Sequence, residues 1–159
     1  MSRRATLWAM VGAAALVVAP RLSGHSPHLV WNASASAPVG LYRTVPVGSV
    51  EVGDLMVVTP TADIAELLDE RGYLPRGVPL IKRVLALAGT EVCRRGTTIL
   101  AYDYAYGEAR ERDRLGRDLP VWQGCRTLRP GEIFLMNWDA PDSLDGRYFG
   151  LTSTDQIIG

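Results

Sequence analysis

Pro79-Leu80-Ile81-Lys82-Arg83-Val84-Leu85-Ala86-Leu87-Ala88, closed by Gly89-Thr90, is an apolar, β-branched run of strand length that ends on a turn signal. It reads as a buried strand with one oddity. Lys82 is the only lysine of the chain, and the other sixteen basic residues are arginine. Arginine keeps its charge in any protein setting, whereas a desolvated lysine loses its proton and then serves as a general base. Chance offers a plainer account, since an arginine-biased chain can hold one lysine without purpose. The sharper account requires a nucleophile elsewhere in the sequence.

Outward from this strand the chain reads mainly as β. Residues 39–44 and 54–59 are strand candidates, and 133–137 is a buried strand entered through the turn Arg129-Pro130-Gly131-Glu132. Residues 91–93 and 97–102 suit a hairpin around Arg94-Arg95-Gly96. Between residues 61 and 72, Ile64, Leu67 and Leu68 alternate with acids at the spacing of one amphipathic helix, which Gly72 or Leu74-Pro75 ends. Residues 103–120 carry charges of alternating sign and read as a solvated excursion. The expectation is a mainly β, single domain with one or two short helices, in keeping with 159 residues and 47% apolar content.

Seventeen basic residues balance seventeen acidic ones, which argues against a nucleic-acid partner, since that usually needs a basic face. Residues 1–22 hold Arg3, Arg4 and Arg21 but no acid. Two arginines followed by sixteen largely apolar residues read as a membrane-targeting element, with the start in the cytoplasm and the rest exported. At about 1.5 Å per residue the run spans about 24 Å, short of a hydrocarbon core of about 30 Å. A cleaved signal peptide and a short uncleaved anchor both fit; Pro20 directly after Val17-Val18-Ala19 favours the anchor. The expected organisation is an N-terminal transmembrane helix within 1–22 and an exported domain over 23–159.

Cys93 and Cys125 are the only cysteines. In an exported domain an even pair reads as a disulfide; two buried thiols that never meet are the alternative. Closing this loop would stabilise by about 3–4 kcal/mol on the chain-entropy model. His25 and His28 both fall in the polar stretch 21–28, so the main domain holds no histidine for a Ser-His-Asp triad. Neither a metal site nor any cofactor is expected.

Three segments carry chemistry. In Asn32-Ala33-Ser34-Ala35-Ser36-Ala37-Pro38-Val39-Gly40-Leu41-Tyr42, small neighbours leave the Ser36 hydroxyl open while Pro38 and Gly40 fix the backbone. Such a stretch is also a common linker. Lys82 in its strand is the second segment, because a serine hydroxyl is a poor nucleophile until a base takes its proton. The third is Asn137-Trp138-Asp139-Ala140-Pro141-Asp142-Ser143-Leu144-Asp145-Gly146-Arg147-Tyr148-Phe149-Gly150. Here Asp145 and Arg147 can pair and stiffen a loop that presents Ser143; a surface turn with a weak ion pair is the plainer alternative.

Taken in order, the Ser-x-Pro-x-Gly-Leu-Tyr segment, the Lys-Arg-Val strand and the Ser-x-Asp-Gly-Arg-Tyr-Phe-Gly loop resemble the type I signal peptidases. They are most like their conjugation branch, the TraF-type pilin-processing peptidases. The resemblance implies a signal-peptidase-like coiled β-sheet domain on the periplasmic face of the bacterial inner membrane. It implies Ser36 as nucleophile, Lys82 as general base, and an oxyanion hole from the Ser34 hydroxyl and the Ser36 backbone N–H. Ser143 would orient the Lys82 amine, and Asp145 and Arg147 would hold that loop. The partner implied is a pro-pilin or other exported pre-protein bound as an extended strand. Relatives continue beyond Gly159 with another β segment, so 23–159 is expected to lack its last strand or to be truncated. Rival readings are a non-catalytic exported pilus-assembly protein of the same fold, a Ser-Lys self-cleaving regulator, and a secreted ligand-binding β domain.

Overall fold

The computed structural model describes residues 2–22 and 28–159. Helix α1 covers Arg3–Leu22, and ten strands follow: β1 Leu29–Asn32, β2 Gly40–Arg43, β3 Leu55–Val58, β4 Leu80–Ala86, β5 Glu91–Arg95, β6 Thr98–Ala101, β7 Tyr104–Glu108, β8 Gly124–Thr127, β9 Glu132–Leu135 and β10 Thr152–Ser153. Helix α2 spans Ala62–Glu70 and the single-turn α3 spans Gly146–Phe149. The protein is therefore mainly β with few helices.

The expected strand around Lys82 is β4, the longest strand of the fold and buried at most positions. It sits inside the antiparallel sheet β10-β9-β4-β3, where Met56 pairs with Lys82 and Val84 with Leu135. A second antiparallel sheet has the order β7-β6-β5-β8, and β1-β2 forms a separate hairpin. Leu85, Ala86 and Phe134 from the first sheet, with Met136 just past the end of β9, pack with Val92, Ile99 and Ala101 from the second, which joins the two sheets through one core. The β1-β2 hairpin is fastened to β3 and β4 by a smaller cluster of Ala37, Val57 and Ile81. That cluster brings the serine segment to the lysine strand. The last residues run beside β3, with Val57 N–H donating to the Gly159 carbonyl at 2.6 Å and Ile158 N–H to the Val57 carbonyl at 2.8 Å.

Cys93 and Cys125 face each other across β5 and β8 and are joined by a disulfide. Two expectations need correction. Residues 1–22 were expected to hold a transmembrane helix; α1 is helical, but among the described residues no helix is long and apolar enough to cross a membrane. The ends explain this: Arg3 and Arg4 on one side and Arg21 on the other bracket only sixteen residues. The stretch 103–120 is also more than a solvated excursion. Tyr102 and Asp103 both take positive φ, 51° and 63°, and turn the chain tightly so that β7 pairs with β6. Without a glycine at either turn position the hairpin has no ordinary sequence signal. His25 lies outside the described residues.

Candidate active site

Asn32, the last residue of β1, organises the serine segment. Its Nδ2 donates to the carbonyls of Ser34 (3.0 Å), Ala37 (2.9 Å) and Pro38 (3.1 Å), while its Oδ1 accepts the Ser34 backbone N–H at 3.1 Å. Three carbonyls against one nitrogen fix which way the amide faces. Oδ1 also accepts the Ser34 hydroxyl at 2.9 Å. That hydroxyl has a single proton, so in its 2.9 Å contact with Ser36 Oγ it is the acceptor and Ser36 donates. The half-buried Ser36 hydroxyl thus rests on Ser34.

Lys82 is 4% exposed, and its Nζ donates to Ser143 Oγ at 2.8 Å. Burial pushes its pKa down to about 8, with the Asp145 carboxylate raising it and the Arg147 guanidinium lowering it. Ser143 is buried on a loop whose shape is set from within. Arg147 clasps Asp145 with Nε to Oδ1 and Nη2 to Oδ2, each at 2.9 Å. The same guanidinium donates to the carbonyls of Asn137 and Ala140, and Asp145 Oδ2 accepts the Asn137 N–H at 3.0 Å. Both side chains are essentially fully buried. The expected surface pair is therefore a buried clamp across residues 137–147. Gly146 sits where a Cβ would lie 2.6 Å from the Leu135 carbonyl, so the loop reaches the end of β9 only with glycine there.

Sequence reasoning assigned no role to Asn137, yet this residue joins the three segments. Its Oδ1 accepts the Arg83 N–H at 2.8 Å, and its Nδ2 donates to the carbonyls of Ile81 (3.2 Å) and Ser36 (2.6 Å). It grips β4 on both sides of Lys82 and holds the backbone of Ser36 with the same amide. The only signal for it in the sequence is a carboxamide directly after the apolar run Ile133-Phe134-Leu135-Met136. Arg94 was equally unmarked. It is 2% exposed and donates to the Arg147 carbonyl at 2.7 Å, tying the second sheet to the Ser143 loop.

Ser34, Ser36, Lys82 and Ser143 line one cleft of about 460 Å³, with Leu68, Leu74 and Leu80 as its apolar wall. A second cleft of about 430 Å³, bounded by Pro38, Leu55, Arg83 and Asn137, also has Ser36 in its lining. All six residues singled out from the sequence, Ser34, Ser36, Lys82, Ser143, Asp145 and Arg147, belong to this one constellation. Ser36 and Lys82 share the cleft, each engaged with a different serine.

The chain is similar to known proteins along most of its length. Residues 3–159 match the family model described as signal peptidase, peptidase S26. Two proteins of Escherichia coli, each named plasmid transfer protein TraF, are similar to the chain. One is 32% identical over 136 residues, covering 80% of this chain and 77% of the relative. The other is 30% identical over 157 residues, covering 93% and 87%. A crystal structure of a signal peptidase I from Enterococcus faecalis aligns at 20% identity with a TM-score of 0.42, covering 71% of this chain and 97% of that one. With a family match running through the serine segment, the lysine strand and the Ser143 loop alike, the chain belongs to the S26 signal peptidase family.

Proposed function

We propose that this protein is an endopeptidase with a Ser36-Lys82 dyad that processes an exported pre-protein, a conjugative pilin precursor in particular. The observation that carries the reading is Lys82: a nearly fully buried amine, brought down to about 8 by burial, held by Ser143 and facing the cleft that contains Ser36. A lysine brought that near neutrality deprotonates within reach of physiological pH and can then serve as a base. Membership of the signal peptidase family supports peptidase chemistry, and likeness to plasmid transfer proteins supports a substrate from the conjugation apparatus.

In the proposed mechanism, neutral Lys82 takes the Ser36 proton as Ser36 Oγ attacks a substrate carbonyl carbon. The oxyanion forms near the Ser36 N–H and the Ser34 hydroxyl, which turns from Asn32 to donate to it. Collapse expels the amine of the leaving chain, which takes the proton from Lys82. Water, or an amino group of the substrate itself, then attacks the acyl-enzyme, giving hydrolysis or cyclisation. The substrate would lie as an extended peptide along the two clefts that share Ser36 in their lining. We place the domain on the exported, periplasmic side, in association with the inner membrane. Exposed Leu7, Trp8, Met10 and Val11 of α1 are consistent with contact with a lipid surface.

The test is cleavage of a cognate pro-pilin in membranes by the parent protein, Ser36→Ala and Lys82→Arg. Loss of cutting in both folded variants is expected. Full activity in Lys82→Arg, which keeps the charge and removes the titratable base, would overturn the dyad.

A further inference from the structure

A cavity of about 390 Å³ adjoins the Ser36-Lys82 cleft, and Tyr73, Arg114, Asp142 and Leu144 line both. It gathers four guanidinium groups, Arg71, Arg110, Arg114 and Arg117, against two carboxylates, Asp113 and Asp142. The carboxylates are not evenly shared. Asp113 is fully engaged: it accepts Arg117 Nε at 2.6 Å and the N–H groups of Leu115 and Arg117 within its own turn, and the Tyr73 hydroxyl from outside it. Asp142 is divided, with one oxygen 2.5 Å from Arg110 and the other 2.8 Å from Arg114. Arg71 donates to a backbone carbonyl, that of Asp118, at 2.8 Å. Once Arg117 and Asp113 are matched, Asp142 is the one carboxylate left in the lining, and Arg110 and Arg114 share it. Each carries five donors in a planar fork, and the Arg110 and Arg114 side chains are 56% and 85% exposed.

We propose that this cavity is a carboxylate-binding subsite of the substrate groove, with Arg110 and Arg114 as its principal donors. The proposal rests on the peptidase reading above, because it is the shared lining that makes the cavity an extension of the Ser36 cleft. A carboxylate entering there meets forks already turned toward Asp142 and completes the charge balance that Asp142 alone leaves short. The ligand is a carboxylate of the substrate peptide, supplied either by an aspartate or glutamate side chain or by its terminal carboxyl group. Asp142 adjoins Ser143 in sequence, so the subsite is built on the same loop that holds Lys82.

The experiment uses the full chain carrying Ser36→Ala, so that bound peptide is not turned over. Fluorescent alanine-rich decapeptides are titrated by anisotropy, with Glu or Gln placed at each position in turn and the C-terminus either free or amidated. At least one acidic peptide is expected to bind about tenfold tighter than its neutral counterpart, the size of one charge-assisted hydrogen bond. Arg110→Gln/Arg114→Gln is expected to abolish the difference, and 0.5 M salt to shrink it. An amidated Glu peptide that keeps the advantage identifies a side chain; a free-acid Gln peptide that keeps it identifies the chain terminus. Equal affinities, no binding by any acidic peptide, or a preference unchanged in the double variant overturns the proposal. Cleavage of the neutral peptides by the parent protein, followed by mass spectrometry, reports separately on the peptidase reading.

Discussion

Lys82 Nζ donates to Ser143 Oγ at 2.8 Å, while the Ser36 hydroxyl rests 2.9 Å away from that of Ser34. In this resting arrangement each member of the proposed dyad is held by a different serine. Ser143 fixes the amine without supplying charge, so burial remains the main influence on its pKa. In the proposed mechanism the Ser36 hydroxyl leaves its contact with Ser34 to give its proton to Lys82 across the cleft that both line.

The pH dependence follows from the sign of the Lys82 shift. The base works deprotonated, and burial lowers its pKa from 10.5 to about 8. With peptide at subsaturating concentration, kcat/KM is expected to rise with pH and level off above about 8. A profile flat between pH 6 and 9 would remove Lys82 from the role of base.

The same shift costs stability. Below pH 8 the amine is protonated in both folded and unfolded chains, and the full penalty of burying the charge is present. As pH rises from 8 toward 10.5 the unfolded chain alone stays protonated, and the penalty fades. A shift of this size corresponds to about 3 kcal/mol, less about 1 for the Ser143 hydrogen bond. Lys82→Met is therefore expected to be more stable than the parent by about 2 kcal/mol at pH 7, with the gap closing by pH 10. Urea unfolding at the two pH values checks this, and an unchanged gap would contradict the linkage.

Ser34 separates two tasks. At rest its hydroxyl donates to Asn32 Oδ1, and in the proposed mechanism it turns toward the oxyanion. Ser34→Ala is expected to lower kcat by about 10² to 10³, the loss seen when one oxyanion donor is removed, with KM little altered. Steady-state kinetics distinguish this from a collapsed loop, which would raise KM as well. Asn32 retains its bonds to the Ala37 and Pro38 carbonyls in that variant.

What the sequence makes legible here is local. Lys82 stands out because a lone lysine in an apolar strand is a chemical anomaly, and Asp145-Gly146-Arg147 stands out because opposite charges flank a glycine. Those signals mark Lys82 and the Ser143 loop; Ser34 and the roles of the set come from the ordered resemblance of the three segments to the type I signal peptidases. Asn137 and Arg94 gave no such signal, since their partners are backbone carbonyls and amides supplied by segments distant in sequence. A hydrogen bond to the main chain leaves no trace in the identity of its partner. The β6-β7 turn went unread for a related reason: pairing with β6 holds Tyr102 and Asp103 at positive φ, which residues other than glycine adopt uncommonly. At the N-terminus, hydropathy gave the helix, while its bracketing arginines decide its reach.

The Asp145-Arg147 clamp carries the strongest stability prediction. Asp145 accepts from the Arg147 guanidinium through both oxygens, from the Asn137 N–H, and from the Arg147 N–H as the cap of α3. Asp145→Ala strands a fully buried guanidinium that still has carbonyl partners but no counter-charge. Loss of one partner of such a pair typically costs about 3–5 kcal/mol, whereas replacing both by apolar groups is far milder. Asp145→Ala is thus expected to shift the urea midpoint strongly, and Asp145→Ala/Arg147→Met to recover much of the loss. Asp145 also raises the Lys82 pKa and Arg147 lowers it, so removing both is expected to leave the pH midpoint of activity nearer its starting value than removing either alone. A double variant no more stable than the single one would mean that the clamp acts through its bonds to the Asn137 and Ala140 carbonyls rather than through charge compensation.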